Sequence, residues 1–137
     1  MNVRSFFDTN ILVYSDDEDE PRKRGIAMGL LKQHGRQRSG VVSLQVLQEY
    51  FVTVTKKLKM EATRAKGKVE LLAALDVVAP DLRDILAAID LHRLHGFSYW
   101  DALVIQTAKQ GGCSVVYSED WQHGQQIDGI RVINPFV

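Results

Sequence analysis

Three aspartates stand where the chain is predicted to pass between secondary-structure elements. Asp8 ends a short run of β-favouring residues, and the apolar residues after it recur at helical spacing, so we predict that it is the last residue of a strand. Asp120 follows a later predicted strand, and Asp101 begins a helix that leads into that strand. Parallel sheets bind ligands beyond the carboxyl ends of their strands, and right-handed crossovers bring such positions to one edge. These acids are therefore candidates for chemistry at a shared edge.

Each acid also has a purely structural explanation. Asp8 or Thr9 suits the N-cap of the short helix that follows. Ser98 is a natural N-cap that makes Asp101 its N3 residue, which fits a capping box. The helix face around Asp101 is nevertheless apolar, so we expect its carboxylate to pack there and to need a partner.

The elements that must position these acids follow from the hydrophobic pattern. Strand-like and helix-like segments alternate as strand, helix pair, strand, helix pair, strand, helix pair, strand, loop or short helix, and strand. This alternation predicts an α/β fold with a mostly parallel sheet covered by helices on both faces. With 137 residues, 45% of them hydrophobic, we expect a single domain over residues 1–137.

Two of the predicted helices matter for the argument. Residues 44–59 form an apolar stripe, and Glu49 lies nearly opposite it, so periodicity alone places Glu49 in solvent. Residues 82–95 form an amphipathic helix, capped by Gly96, with Leu82, Ile85, Leu86 and Ile89 on its apolar side.

Positive and negative residues are equal in number over the whole chain, but they are clustered in separate segments. Lys plus Arg and Asp plus Glu both count 17, so no global basic field would hold nucleic acid. The densest basic segment begins with Lys56, Lys57 and Lys59, which fit either a phosphate-contacting patch or a solvated helix face. The contiguous acids 16–20 are expected to form a solvated loop, because neighbouring residues cannot all face one ion.

Several classes of protein are disfavoured. There is no apolar run of membrane-spanning length and no signal-like N-terminus, so we expect a soluble, cytoplasmic protein without membrane contact. Cys113 is the only cysteine, which excludes an internal disulfide. No glycine-rich phosphate loop or nucleophile elbow occurs, and Asn10 stands where a haloacid-type phosphatase needs a second aspartate.

A set of short motifs carries a family resemblance across essentially the whole chain. They are Asp-Thr-Asn at 8–10, Gln-Glu at 48–49, Tyr-Trp-Asp-Ala at 99–102, Ser-x-Asp at 118–120 and Asn-Pro-Phe at 134–136. In order and spacing they resemble the PIN-domain nucleases, and within these the VapC-type toxins of toxin–antitoxin pairs. The resemblance implies a three-layer α/β/α sandwich with a mostly parallel central sheet.

The resemblance also implies a metal site. Asp8, Glu49, Asp101 and Asp120 would converge on Mg²⁺ or Mn²⁺, which prefer oxygen ligands and keep waters and substrate phosphate in their shell. The resemblance thus places Glu49 at the metal site, whereas periodicity alone places it in solvent. Thr9, Asn10 and Ser118 would orient the acids through hydrogen bonds. Glu119 stands next to Asp120 and is a candidate helper.

The function that follows from the resemblance is hydrolysis of RNA by a metal-activated water. The expected partners are an RNA substrate, a cognate antitoxin and a second copy of the chain in a homodimer. Apolar residues on three helices exceed what one sheet face needs, which fits either an interface or a core that buries all of them; they are Ile11, Leu12, Tyr14, Ile26, Met28, Leu30, Leu31, Leu71, Leu72 and Leu75. The alternative is a catalytically silent PIN-like interaction module.

Overall fold

A computed structural model describes residues 3–137 as one sheet with helices packed against it. The strands are β1 (Ser5–Phe7), β2 (Gly40–Ser43), β3 (Asp76–Val78), β4 (Val115–Tyr117), β5 (Gln126–Ile127) and β6 (Ile130–Ile133). The helices are α1 (Thr9–Tyr14), α2 (Pro21–Gln37), α3 (Leu44–Lys56), α4 (Ala62–Leu72), α5 (Leu82–His95) and α6 (Tyr99–Gln110). Helix pairs separate the first four strands, as the alternation predicted.

The sheet has the strand order β3-β2-β1-β4-β6-β5. All neighbours are parallel except β5 and β6, so the predicted mostly parallel sheet of an α/β/α sandwich is confirmed. Strand β1 lies between β2 and β4, and Phe7 pairs with Tyr117 at the carboxyl ends of β1 and β4. The amide of Asp8 then donates to the carbonyl of Tyr117 at 3.0 Å, which brings Asp8 beside Ser118.

The core lies mainly between the sheet and helices α1, α3 and α6. Phe6 and Phe7 of β1 and Ile11 and Leu12 of α1 are fully buried. For Ile11 and Leu12 the interface interpretation is therefore wrong, because the short α1 packs its apolar residues directly into the core. Cys113 is buried as a small apolar residue. Within residues 3–137, no helix combines the length and the apolar character needed to cross a membrane.

The segment before β6 differs from the predicted loop or short helix. It contains strand β5, which pairs antiparallel with β6. Asp128 and Gly129 join the two strands with φ values of +51° and +83°. Positive φ at both central residues is the geometry of a two-residue hairpin turn, for which Asp-Gly is a favoured pair.

The acidic segment after α1 is only partly solvated, in contrast to the prediction. The Oδ2 of Asp16 accepts a hydrogen bond from the buried Tyr50 hydroxyl at 2.5 Å, and its Oδ1 lies 3.2 Å from Lys68 Nζ. Asp17 is buried and accepts from the amide of Asp19. The segment is thus attached to α3 and α4 instead of extending into water.

Helix α5 has the predicted bounds but an unexpected orientation. Leu82, Ile85, Leu86 and Ile89, which we call the α5 face, are exposed; Leu82 is 68% and Leu86 53% accessible. Asp84, Ala88 and Leu91 are buried instead. Asp84 is tolerated there because it accepts hydrogen bonds from the Asp81 amide and from Gln106 Nε2. The apolar side of α5 is therefore left without a partner inside the described part of the chain.

Candidate active site

Asp8 both caps helix α1 and lies at the centre of a polar cluster. Its Oδ1 accepts from the Thr9 amide at 2.8 Å, and its Oδ2 accepts from Ser118 Oγ at 2.8 Å. The residue is only 8% accessible. The structural explanation for Asp8 is correct, and it coexists with a position at the carboxyl edge of the sheet.

Asn10 and Ser118 connect the ends of β1 and β4. The Nδ2 of Asn10 donates to Ser118 Oγ at 3.2 Å and to Asp120 Oδ2 at 3.0 Å. The Asp120 amide donates to the same Ser118 Oγ at 3.1 Å, and Ser118 is fully buried. The two side chains thereby fix Asp120 relative to Asp8, through hydrogen bonds that each join residues 110 positions apart in sequence.

Glu49 reaches this cluster from the polar side of α3. Thr9 Oγ1 donates to Glu49 Oε2 at 3.1 Å, and Gln45 Nε2 donates to Glu49 Oε1 at 2.6 Å. Glu49 is solvent-exposed, as its periodicity indicated. The solvated side of α3 is therefore also the side that faces the cluster.

The electrostatics of the cluster are unfavourable without a cation. The pKa of Asp8 is raised to about 6, mainly by burial and to a smaller extent by the carboxylates of Asp120 and Glu49, whereas the hydrogen bonds from Ser118 and Thr9 oppose the rise. Buried carboxylates of like charge are stabilised in their ionised form when a cation shares the site. The all-oxygen donor set of these three acids fits a hard divalent ion such as Mg²⁺ or Mn²⁺.

Asp101 is not joined to the other three acids. It is exposed on the first turn of α6, and its amide donates to Ser98 Oγ at 3.1 Å. The expectation that its carboxylate packs against the apolar face of α6 is wrong, because Val104, Ile105 and Ala108 are buried while Asp101 points to solvent. In residues 3–137, no three acidic, histidine or cysteine side chains lie close enough together to hold a metal ion as they stand.

Glu119 has partners that the sequence does not reveal. Its carboxylate accepts from the Tyr14 hydroxyl, and its Oε2 lies 2.9 Å from Lys23 Nζ. Burial alone would raise the pKa of Glu119, but these hydrogen bonds and the charges of Lys23 and Lys57 outweigh burial and lower it. Lys23 belongs to a basic triplet at the start of α2, and nothing in its spacing points to a residue 96 positions away.

The three predicted nucleic-acid-binding lysines have different surroundings. Lys56 and Lys57 are exposed at the end of α3, and the charge of Lys57 acts on Glu119, beside Asp120. Lys59 lies after the helix, which ends at Lys56 instead of the predicted Lys59, and it lines a polar cleft with the acidic segment 16–19. Lys57 is thus the lysine with an electrostatic link to the loop of the acidic cluster.

Comparison with protein families gives one assignment. The model of the PIN domain matches residues 5–126, which include Asp8, Glu49, Asp101 and Asp120. A search of curated protein sequences found no significant match.

Solved structures from three bacteria share this fold. VapC20 of Mycobacterium tuberculosis, described as a sarcin–ricin loop cleaving toxin, is 19% identical, with a TM-score of 0.68 over 86% of this chain and 91% of that one. A toxin–antitoxin complex from Klebsiella pneumoniae is 21% identical (TM-score 0.67; 96% and 97% covered). DNA-bound VapBC from Salmonella typhimurium is 18% identical (TM-score 0.68; 96% and 97% covered). At these identities the likeness is one of fold.

Proposed function

The chain belongs to the PIN-domain family, and on that premise we propose that it is a metal-dependent endoribonuclease and the toxin of a toxin–antitoxin pair. The observation that carries the proposal is the buried Asp8, whose pKa is raised to about 6 by burial and by its neighbours Asp120 and Glu49. Strongly perturbed acids at a ligand-binding sheet edge are typical of functional sites.

Seven residues have proposed roles at the metal site. Asp8, Glu49 and Asp120 would hold Mg²⁺ or Mn²⁺, and Asp101, on the exposed first turn of α6, would complete the set of ligands when the ion binds. Thr9, Asn10 and Ser118 hold these carboxylates in place, since each donates a hydrogen bond to one of them. When bound, the ion lowers the pKa of the attacking water and offsets charge on the phosphate.

The substrate is RNA. Exposed lysines at the end of α3 supply positive charge that would attract the phosphates. Among them, the charge of Lys57 acts on Glu119, the neighbour of Asp120 in the acidic cluster. VapC20, which has the same fold, is described as cleaving the sarcin–ricin loop, and this supports a structured RNA as the target. A toxin that cleaves RNA of its own cell would act in the cytoplasm.

The antitoxin partner would bind a groove between α2 and α4. Met28 and Leu71 are exposed along this groove, which measures about 490 Å³, and Leu71 is 71% accessible. Gly25 and Gly29 form part of its lining, and a side chain at either would meet open space. The fold neighbours that were solved as toxin–antitoxin complexes support a protein segment as the occupant.

The α5 face would bind a second copy of the chain. Its four apolar residues are bordered on the same helix by charges of both signs, Arg83, Asp90 and Arg93. A two-fold interface brings the same patch of both subunits together, so positive charges at the border of one copy can face negative charges at the border of the other. This arrangement supports the homodimer that the family resemblance implied.

The proposal is tested by RNA cleavage with purified protein. We expect cleavage with Mg²⁺ or Mn²⁺, none with EDTA, and none for Asp8→Asn or Asp101→Asn at saturating metal. Retained cleavage in both variants, unaffected by EDTA, would exclude the metal mechanism. No cleavage of any RNA by the unsubstituted protein, together with normal binding of the product of the adjacent upstream gene, would favour the alternative of a silent interaction module.

A further inference from the structure

A groove next to the acidic cluster has a lining of which the proposed metal chemistry uses only Glu49. It measures about 760 Å³ and lies between the start of α3, the turn before α5 and the start of α6. Glu49 belongs to both the groove and the cluster. A ligand in this groove would therefore be adjacent to the carboxylates.

Trp100 is the most conspicuous side chain of this groove. It is 62% accessible, although it belongs to the first turn of a helix whose aliphatic residues are all buried. Its ring meets Tyr99 edge-on, with centroids 5.1 Å apart. A large indole left in water beside a carboxylate cluster is typical of a binding surface, because an aromatic plane contributes contact area with few rotatable bonds.

The groove also offers a polar group without a partner. Gln45 donates through Nε2 to Glu49, while its Oε1 is buried and has no hydrogen-bond partner among the described residues. A buried acceptor left unpaired costs free energy, so a rotation of the Gln45 amide toward a ligand N–H group in the groove would be favoured. Pro80 and Leu103 add apolar contact nearby.

An aromatic plane and amide groups beside a phosphodiester-cleaving site match the chemistry of a nucleobase. Aromatic side chains stack on unpaired bases, and amide oxygens accept from base N–H groups. We propose that an unpaired base of the RNA substrate stacks on Trp100, with its polar edge toward Gln45. This inference rests on the proposed ribonuclease function.

Stacking at Trp100 would make it a positioning residue. Asp101 follows Trp100 directly, and Glu49 lines the same groove, so a base held there fixes the adjacent phosphate relative to both acids. A base can enter only if it is not paired within a duplex. The groove therefore selects single-stranded segments or loops over continuous double-stranded RNA.

The test measures RNA binding in the Asp8→Asn background with EDTA, which prevents cleavage. The probes are a fluorescein-labelled single-stranded oligoribonucleotide and a fully paired duplex of the same sequence. We expect Trp100→Ala to weaken single-strand binding by roughly 5- to 150-fold, the range for loss of one stacked base, and to leave duplex binding unchanged. Trp100→Phe should retain most of the affinity, since it keeps an aromatic plane.

Trp121→Phe is the matched control, because Trp121 is the other tryptophan of the chain and does not line the groove. Quenching of intrinsic fluorescence by the oligonucleotide should persist in Trp121→Phe and disappear in Trp100→Phe. Unchanged binding by Trp100→Ala would overturn the proposal. A change in its mass by light scattering, with unchanged affinity, would also overturn it by assigning the groove to a contact between copies.

Failure of this inference is distinguishable from failure of the proposed function. If the unsubstituted protein cleaves RNA and Trp100→Ala does so with the same kcat/KM, only the stacking role is excluded. If the unsubstituted protein neither binds nor cleaves RNA, the ribonuclease function and the stacking role are excluded together.

Discussion

Lys23 Nζ lies 2.9 Å from Glu119 Oε2, and this ion pair separates the roles of two adjacent acids. Glu119 is engaged by Lys23 and by the Tyr14 hydroxyl, whereas Asp120 is held by Asn10 within the acidic cluster. Both partners of the ion pair are about one quarter accessible (26% and 25%). Glu119 is thus already neutralised by the protein, and Asp120 is the acid available to a cation.

The first prediction compares these two neighbours. Glu119→Gln should keep cleavage activity within a few-fold and lower the free energy of unfolding by about 1 kcal/mol, because it weakens a partly exposed charged hydrogen bond. Asp120→Asn should abolish cleavage with little change in stability. Urea unfolding and steady-state cleavage measure both effects. A Glu119→Gln protein as inactive as Asp120→Asn would show that Glu119 itself is essential.

The second prediction concerns the energetic cost of Asp8. In EDTA at neutral pH, Asp8→Asn should raise the free energy of unfolding by up to ~3 kcal/mol, since it removes a buried charge whose pKa is raised from 3.8 to about 6. Asp101→Asn is the control and should leave stability unchanged, because Asp101 is exposed. Thermal unfolding of both variants tests this. If Asp8→Asn were less stable than the unsubstituted protein, the stabilisation that Asp8 provides as the N-cap of α1 would exceed the destabilisation caused by its buried charge.

The third prediction concerns the lysines after α3. Replacing Lys56, Lys57 and Lys59 with Gln should weaken RNA binding and reduce the slope of log affinity against log salt by up to about 2. Lys57→Gln should account for the largest share. Lys109→Gln is the control, since Lys109 lies in the last turn of α6 and is paired with Asp128. An unchanged salt slope in the triple variant would assign these lysines to a solvated helix face.

The fourth prediction distinguishes the α5 face, as the dimer contact, from the α2–α4 groove, as the antitoxin site. Leu86→Asp on the α5 face should convert the proposed homodimer to a monomer, because a two-fold contact through this face would bury one new negative charge from each copy. Leu71→Asp in the α2–α4 groove should leave the proposed dimer intact and abolish binding of the product of the adjacent upstream gene. Size-exclusion with light scattering, with and without co-expression, measures both. A Leu86→Asp protein that remains dimeric would place the dimer contact elsewhere.

The fifth prediction follows from His34. This buried histidine bonds Ser39 Oγ through Nδ1 at 2.7 Å, and burial lowers its pKa below 6.5. The neutral form is therefore favoured in the folded state, so stability is complete above pH 6.5 and falls as the pH drops through the lowered pKa, by up to about 1.4 kcal/mol per pH unit.

The comparison for His34 is made in the Asp8→Asn background, because Asp8 titrates near pH 6 with the opposite sign. Urea unfolding of Asp8→Asn should lose stability below pH 6.5, and the added substitution His34→Gln should flatten this dependence. A pH dependence that is the same in both proteins would exclude His34 as its source.

The sequence by itself determined the order of the elements other than strand β5, and the local position of the candidate acids. Changes of hydrophobic period are local, so they placed Asp8 after β1, Asp101 at the start of α6 and Asp120 after β4. Helix capping is local as well, and the sequence correctly identified Ser98 as the N-cap of α6. The four-acid set and its metal came only from the family resemblance, and the metal-ligand roles remain predictions.

Only the tertiary structure decided which groups meet and which faces are covered. The contacts of Ser118 with Asp8 and of Lys23 with Glu119 span 110 and 96 positions, and they arise because parallel pairing brings distant strand ends together. Periodicity identified Leu82 and Leu86 as members of one face, but it carries no information about what packs against that face. Helix α5 docks through Ala88 and Leu91 and leaves Leu82 and Leu86 in solvent.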